Sequence, residues 1–155
     1  MDPRIELLNS KKLIGIHQKM SLLDNKTGEL WQEFMPRRSE VKNRINEELI
    51  SMQIYPDNWN FSPKTLFEKW ATVEVSSFQA VPPEMETHLL QGGKYAVFIH
   101  HGPASAAVKT MQYIFGQWLP ESKYNLDSRE HFEILPKGYS PVDPNASEEI
   151  WVPIK

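Results

Sequence analysis

The sequence predicts an α+β fold in which one β-α-β-β unit is used twice, and three observations predict it. The order strand, helix, strand, strand recurs in two halves, over about 10–78 and about 92–155. Aromatic pairs three residues apart, Trp31 with Phe34 and Phe115 with Trp118, fall at matching places on two amphipathic stretches. Gln53-Ile54-Tyr55-Pro56 lines up with Glu133-Ile134-Leu135-Pro136, and Phe67-Glu68-Lys69-Trp70 with Glu148-Glu149-Ile150-Trp151. The 155 residues therefore read as one domain, 1–155, built from two similar halves, and paired halves commonly bury a pocket between them.

Lys12 to Met20 reads as the first strand of the first half, after a short leader, Arg4 to Leu8, that suits an added edge strand. Beyond the polar break Asp24 to Gly28, the residues Leu30, Trp31, Phe34, Val41, Ile45 and Leu49 recur mostly at three- and four-residue steps and predict a helix. Pro36 removes a backbone donor, so the helix is expected to break near Met35 with Pro36 opening a second segment. Ser51 to Tyr55 predicts a strand ended by Pro56. A turn-rich loop, Asp57 to Lys64, leads to the strand Phe67 to Val75, and Met85 to Leu90 suits a short strand within the connection to the second half. That half repeats the order. Lys94 to His100 is a strand, Val108, Met111, Ile114, Phe115 and Trp118 mark one helical face ending at Leu119-Pro120, and two strands follow, His131 to Leu135 and Glu148 to Ile154.

One carboxylate, Glu133, sits in the middle of the short strand His131-Phe132-Glu133-Ile134-Leu135. Alternation puts Phe132 and Ile134 on one face and His131, Glu133 and Leu135 on the other. If Phe132 and Ile134 face the core, Glu133 faces water. If both faces are covered, the carboxylate lies in an apolar enclosure, where it must be protonated, hydrogen-bonded or matched by a cation. Gln53 is its counterpart in the first half. The wall candidates by face and by repeat are Tyr55, Trp70 and Trp151, then Trp31 and Phe98, each of which has ordinary core packing as its alternative.

Composition narrows the classes of function. With 17 basic and 20 acidic residues, the chain has a net charge of -3, which gives no electrostatic reason to expect direct nucleic-acid binding. There is no cysteine, which excludes disulfides, thiol nucleophiles and cysteine-ligated metals and fits a reducing compartment. The amino terminus carries no cationic-then-apolar signal and no apolar run approaches membrane-spanning length, so the expected location is the cytoplasm, away from membranes. His100 and His101 point to opposite faces of their strand and no helical His pattern appears, so neither a metal nor another cofactor is expected.

Gly92-Gly93-Lys94-Tyr95-Ala96-Val97-Phe98-Ile99-His100-His101-Gly102-Pro103, Trp118-Leu119-Pro120, Phe132-Glu133 and Glu149-Ile150-Trp151-Val152-Pro153-Ile154, in that order, resemble the GyrI-like effector-binding domain, also known from AraC-type and other bacterial transcription activators. The resemblance covers nearly the whole chain and is strongest from Met85 to Lys155. It implies a duplicated β-α-β-β fold whose antiparallel strands curve into a barrel-like sheet, with two helices bordering a ligand cleft. In family members that bind amphipathic cations, an acidic residue on the strand matching Phe132-Glu133-Ile134 sits in an aromatic pocket, which carries that role to Glu133. Regulators of this family place the module after a helix-turn-helix domain. This chain starts with the module itself, so it resembles the free-standing members.

Two functions of different class follow from the resemblance, with a third beside them. The first is a multidrug-sensor-like binding protein for an amphipathic ligand, a lipophilic cation or an aromatic molecule, since ring faces attract positive charge and a carboxylate neutralises it. Its expected ligand-binding residues are Glu133, Tyr55, Trp70, Trp151, Trp31, Phe98 and Gln53. The second is an enzyme, because some proteins similar to this family hydrolyse electrophilic cyclopropane-bearing toxins with a Glu that activates water. Glu133 would then be the base and Tyr55 the acid or orienting group. The third is a module for a protein partner, as one family member is for a topoisomerase, or a homodimer.

Overall fold

The computed structural model describes residues 1–155 as a curled half-barrel of eight antiparallel strands with two helices, an α+β architecture. In chain order the strands are β1 (Arg4–Leu8), β2 (Lys11–Met20), β3 (Leu49–Ile54), β4 (Phe67–Val75), β5 (Glu86–Leu90), β6 (Gly93–His101), β7 (His131–Leu135) and β8 (Ser147–Pro153). Helix α1 (Thr27–Phe34) joins β2 to β3. Helix α2 (Ala107–Tyr113) joins β6 to β7 and continues through a π-helical stretch, Ile114–Trp118, into α3 (Leu119–Glu121).

The strand order β1-β6-β8-β7-β3-β4-β2-β5 reads the same from either side of the β7–β3 seam. In that seam Gln53 faces His131 and Ser51 faces Glu133, so exchanging the halves with Gln53 laid on Glu133 turns one pair into the other. The next ladders agree: Gln53 faces Lys69 in the first half as Glu133 faces Ile150 in the second. Each half's leading strand lies on the other half. β1 pairs with β6, and β5 pairs with β2.

The register divides the core between the two faces of the sheet. On one face α1 buries Leu30 and Phe34 against Ile14, Ile16, Met20, Phe67, Ala71 and Val73, and the second helical segment buries Ile114 against Ala96, Phe98, Ile150 and Val152. The other face has no helix. Its Leu13, Met52, Trp70, Tyr95, Val97, Phe132 and Trp151 are buried because the sheet curls around them.

Two helical expectations need correction. The first helix ends at Phe34, and Pro36 opens a 3-10 turn over Met35–Glu40. Val41, Ile45 and Leu49 then follow no helix: Asn43 adopts a left-handed φ of 62°, the Ile45 N–H donates to the Glu74 carbonyl, and Leu49 opens β3. Their four-residue spacing belongs to a chain running beside the end of β4, which leaves Ile45 exposed. Val108, expected on the buried face of the second helix, is also exposed.

Gly15 lies in β2 where both β4 and β5 pair with it, and a Cβ there would overlap the Ala71 carbonyl. Gly15→Ala is expected to destabilise the fold by about 1–3 kcal/mol, the usual cost of overpacking, read as a lower urea midpoint at unchanged slope.

Candidate functional site

β7 carries Glu133 onto the helix-bearing face, and the neighbouring strands line up polar groups beside it. Opposite in β3 stand Ser51 and Gln53. Lys69 follows across β4, and in β8 Ile150 is flanked by Glu148. The enclosed alternative is therefore the one realised, with Glu133 9% exposed and Lys69 7%. Gln53 Nε2 donates to Glu133 Oε1 at 3.0 Å, and Lys69 Nζ lies 3.7 Å from the same oxygen, outside hydrogen-bond range. Both side chains of the ion pair keep a small accessible surface, 8% for Lys69 and 11% for Glu133. Tyr139 donates its hydroxyl to Glu148 Oε2 at 3.0 Å.

Burial dominates the titration of this group. It raises the Glu133 pKa, with Lys69 opposing and Glu148 adding to the rise, and it lowers the Lys69 pKa against the pull of Glu133 and Glu148. Burial also raises the hydroxyl pKa values of Tyr55 and Tyr139, each with a carboxylate contribution, so both phenols stay protonated. His131 is held neutral, its pKa lowered to about 3 by burial and by the Arg129 charge. Its folded pKa lies below the unfolded value near 6.5, so the unfolded chain binds more protons between them and stability falls as pH drops below about 6.5. The variant His131→Phe should lose less stability than wild type between pH 6.5 and pH 4, the difference approaching about 1.4 kcal/mol per pH unit, measured by urea denaturation across that range.

Aromatic rings from both halves cluster around Tyr55 and His131, on the sheet face that carries Glu133. Tyr55 stacks on Trp59 at 4.4 Å and meets Phe67 at 5.3 Å and the edge of His131 at 4.8 Å. Phe61 reaches across to Phe115 at 4.7 Å, and Phe115 lies 6.0 Å from His131. The loop between β3 and β4 thus spans from the first half to the second helix. The π-helical turn carries Phe115 toward this cluster and Trp118 onto Phe98, at 5.1 Å; such turns often occur at functional sites. Trp59 Nε1 is the one fully buried side-chain polar atom without a hydrogen-bond partner.

The structure brings Gln53 and Tyr55 together with Glu133 and separates the other expected residues from it. Trp70 pairs with Met52 and His17, and Trp151 with Phe132 and Val97, which places both indoles on the opposite face of the sheet. They occupy equivalent positions there, each donating its Nε1 to the carboxylate two residues earlier, Glu68 at 2.6 Å and Glu149 at 3.0 Å. The repeat had matched them correctly to each other, but strand parity sets them against Glu133 because they are odd-even neighbours of Lys69 and Ile150. Trp31 and Phe98 share the Glu133 face but belong to the helix packing, Trp31 edge-on to Phe34 and Phe98 edge-on to Trp118.

Sequence reasoning missed Lys69, Glu148, Trp59, Phe61, Phe115 and Tyr139 as parts of the site. Lys69 had a legible signal, a lone cation between Phe67 and Ala71 on one strand face. So did Trp59 and Tyr139, which follow the matched prolines: each backbone N–H donates to its proline carbonyl, Pro56 or Pro136, at 3.0 Å. Phe61 and Phe115 meet only through tertiary folding. No group of three or more His, Cys, Asp or Glu side chains is placed to hold a metal ion, and no helix is long and apolar enough to cross a membrane.

Three relatives stand beside this geometry. The transcriptional regulator BrlR of Pseudomonas aeruginosa is 28% identical over 155 residues, 99% of this chain; the chain spans 56% of that regulator's length. SAV2435, solved bound to tetraphenylphosphonium, superposes with a TM-score of 0.75 at 16% identity, over 100% of this chain and 94% of the other. A hydrolase from Listeria innocua superposes at 0.66 with 12% identity, over 99% and 92%. At those identities the two structures establish the shared fold. The family model described as a GyrI-like small molecule binding domain matches residues 1–155, and the chain belongs to that family.

Proposed function

We propose that this domain binds large aromatic monocations, in the manner of a multidrug sensor, at Glu133 and its aromatic enclosure. The observation that supports the reading is a buried carboxylate on the same sheet face as a cluster of rings from both halves of the fold. Glu133 and Glu148 against the single cation Lys69 leave the group with a net charge of about -1 when all three are ionised, and a site of that sign attracts cations. Ring faces add cation–π attraction and apolar area without demanding a matched hydrogen-bond pattern, which lets one site accept several ligand shapes. The tetraphenylphosphonium held by SAV2435 is a ligand of that class.

The test compares methyltriphenylphosphonium with the neutral triphenylphosphine oxide, following tryptophan fluorescence as each is titrated. The cation is expected to bind at least about tenfold more tightly, equivalent to about 1.4 kcal/mol. Equal affinities would remove charge from the recognition and the reading with it.

A second reading is hydrolysis of an electrophilic cyclopropanoid, favoured by one observation: burial raises the Glu133 pKa, which makes the carboxylate a stronger base. Tyr55, protonated and in the same enclosure, is then the acid or orienting group. A ring-opened, water-added product seen by mass spectrometry with wild type and lost in Glu133→Gln would establish it.

A further inference from the structure

We infer that Lys69 is a tethered competitor for the cation subsite: its ammonium occupies the place beside Glu133 that a ligand cation would take, and so limits affinity and restricts the site to monocations. The inference rests on the cation-binding reading and deepens it. Lys69 Nζ stands 3.7 Å from Glu133 Oε1, close enough for strong Coulomb attraction yet too far for a hydrogen bond, in a pair almost closed to solvent. A buried pair this loose is poor evidence for a stabilising role, since apolar side chains of similar volume commonly replace such pairs without loss.

The repeat supplies an internal comparison. Lys69 faces Gln53 in the first half where Ile150 faces Glu133 in the second, and Ile150 is buried as part of the core. The fold thus carries an aliphatic side chain at the equivalent position of the other half, while in the first half the lysine stands on the ladder that leads to Glu133. With the ammonium beside Glu133, an arriving cationic ligand loses part of the attraction that Glu133 and Glu148 would otherwise give. With the ammonium in place the two carboxylates, when ionised, offer one net negative charge, and without it, when ionised, two.

Lys69→Met, which keeps the stem and removes the charge, tests this at pH 8 with three probes. They are methyltriphenylphosphonium, the planar aromatic dication 4′,6-diamidino-2-phenylindole, and triphenylphosphine oxide. Relative to wild type, the monocation is expected to bind at least tenfold more tightly and the dication to gain more than the monocation, while the neutral oxide changes less than twofold. Lys69→Arg, which keeps the charge, should stay within about threefold of wild type for the monocation. If Lys69→Met does not unfold cooperatively, Lys69→Gln carries the same test with the same expected signs. Unchanged or weaker cation binding in a folded charge-removed variant, with wild type still preferring cation over oxide, would overturn the role of Lys69 and leave the cation-binding reading intact. If neither protein prefers the cation, the reading itself has failed and this inference goes with it.

Discussion

Glu133→Gln is expected to weaken methyltriphenylphosphonium binding by about 1.5–3 kcal/mol, roughly a factor of 10 to 150, and to leave triphenylphosphine oxide nearly unaffected. The amide keeps the shape of the side chain and its acceptor oxygen toward Gln53 Nε2, so only the charge is removed. An unpaired buried carboxylate would make the same change neutral or stabilising for the free protein, because the amide is cheaper to bury. Lys69 reverses that expectation. With the carboxylate gone, an enclosed ammonium keeps only Glu148 as a nearby opposite charge, so the variant should lose about 3 kcal/mol, the low end for removing one partner of a buried pair. The folded-state pKa of Lys69 is already lowered by burial, so the unfolded chain binds its proton more tightly and the deficit shrinks as pH rises. Urea denaturation at pH 7 and pH 9, with the double variant Glu133→Gln/Lys69→Met as the rescue, checks both the size and the sign. A variant as stable as wild type at pH 7 would mean that Lys69 does not depend on Glu133.

Phe132→Ala, one residue earlier, should lose stability without losing the preference for the cation. Phe132 is fully buried on the other face, stacked on Trp151 at 5.2 Å and edge-on to Tyr95 at 5.3 Å. Truncation removes a ring from the center of the helix-free core and leaves a cavity between rigid neighbours, at a cost of about 3–5 kcal/mol. The urea midpoint should fall accordingly. Under conditions where the variant remains folded, its preference for cation over neutral oxide should match wild type, because the sheet lies between the lost ring and the site. Loss of that preference with stability intact would mean that the two faces are not separate.

These neighbours also mark how far the sequence could be read. Alternation separates Phe132 from Glu133, and the repeat matches Gln53 to Glu133; that their strands pair at the seam of the symmetric sheet order is visible only in the structure. The choice between water and burial for Glu133 depends on tertiary packing, such as the contact of Phe61 with Phe115 between loop and helix, that exists only in the folded chain. Trp70 and Trp151 were misassigned for a simpler reason. A one-residue step along a strand changes the face, and Trp70 and Trp151 stand one step from Lys69 and Ile150. Applied to Lys69, the same parity would have found it, since it shares a face with Phe67 and Ala71 and crosses the ladder to Gln53. Beyond Pro36, a four-residue spacing looked helical where the backbone turns at Asn43, a conformation that no apolar pattern reports.

The exchange of leading strands has a consequence for how the chain is made. During synthesis β1 finds no partner until β6 has been added, and the outer edge of β2 stays bare until β5 emerges, with Lys11 waiting for Leu90. Pairings this distant in sequence are slow to close, which places folding in the millisecond-to-second range of β-rich domains. A first-half fragment alone would present two open strand edges, β2 and β3, and associate through them. Supplied as two pieces cut between β4 and β5, the chain should instead assemble only when both are present, each half completing the other's sheet and the aromatic cluster beside Glu133 appearing in the same cooperative step.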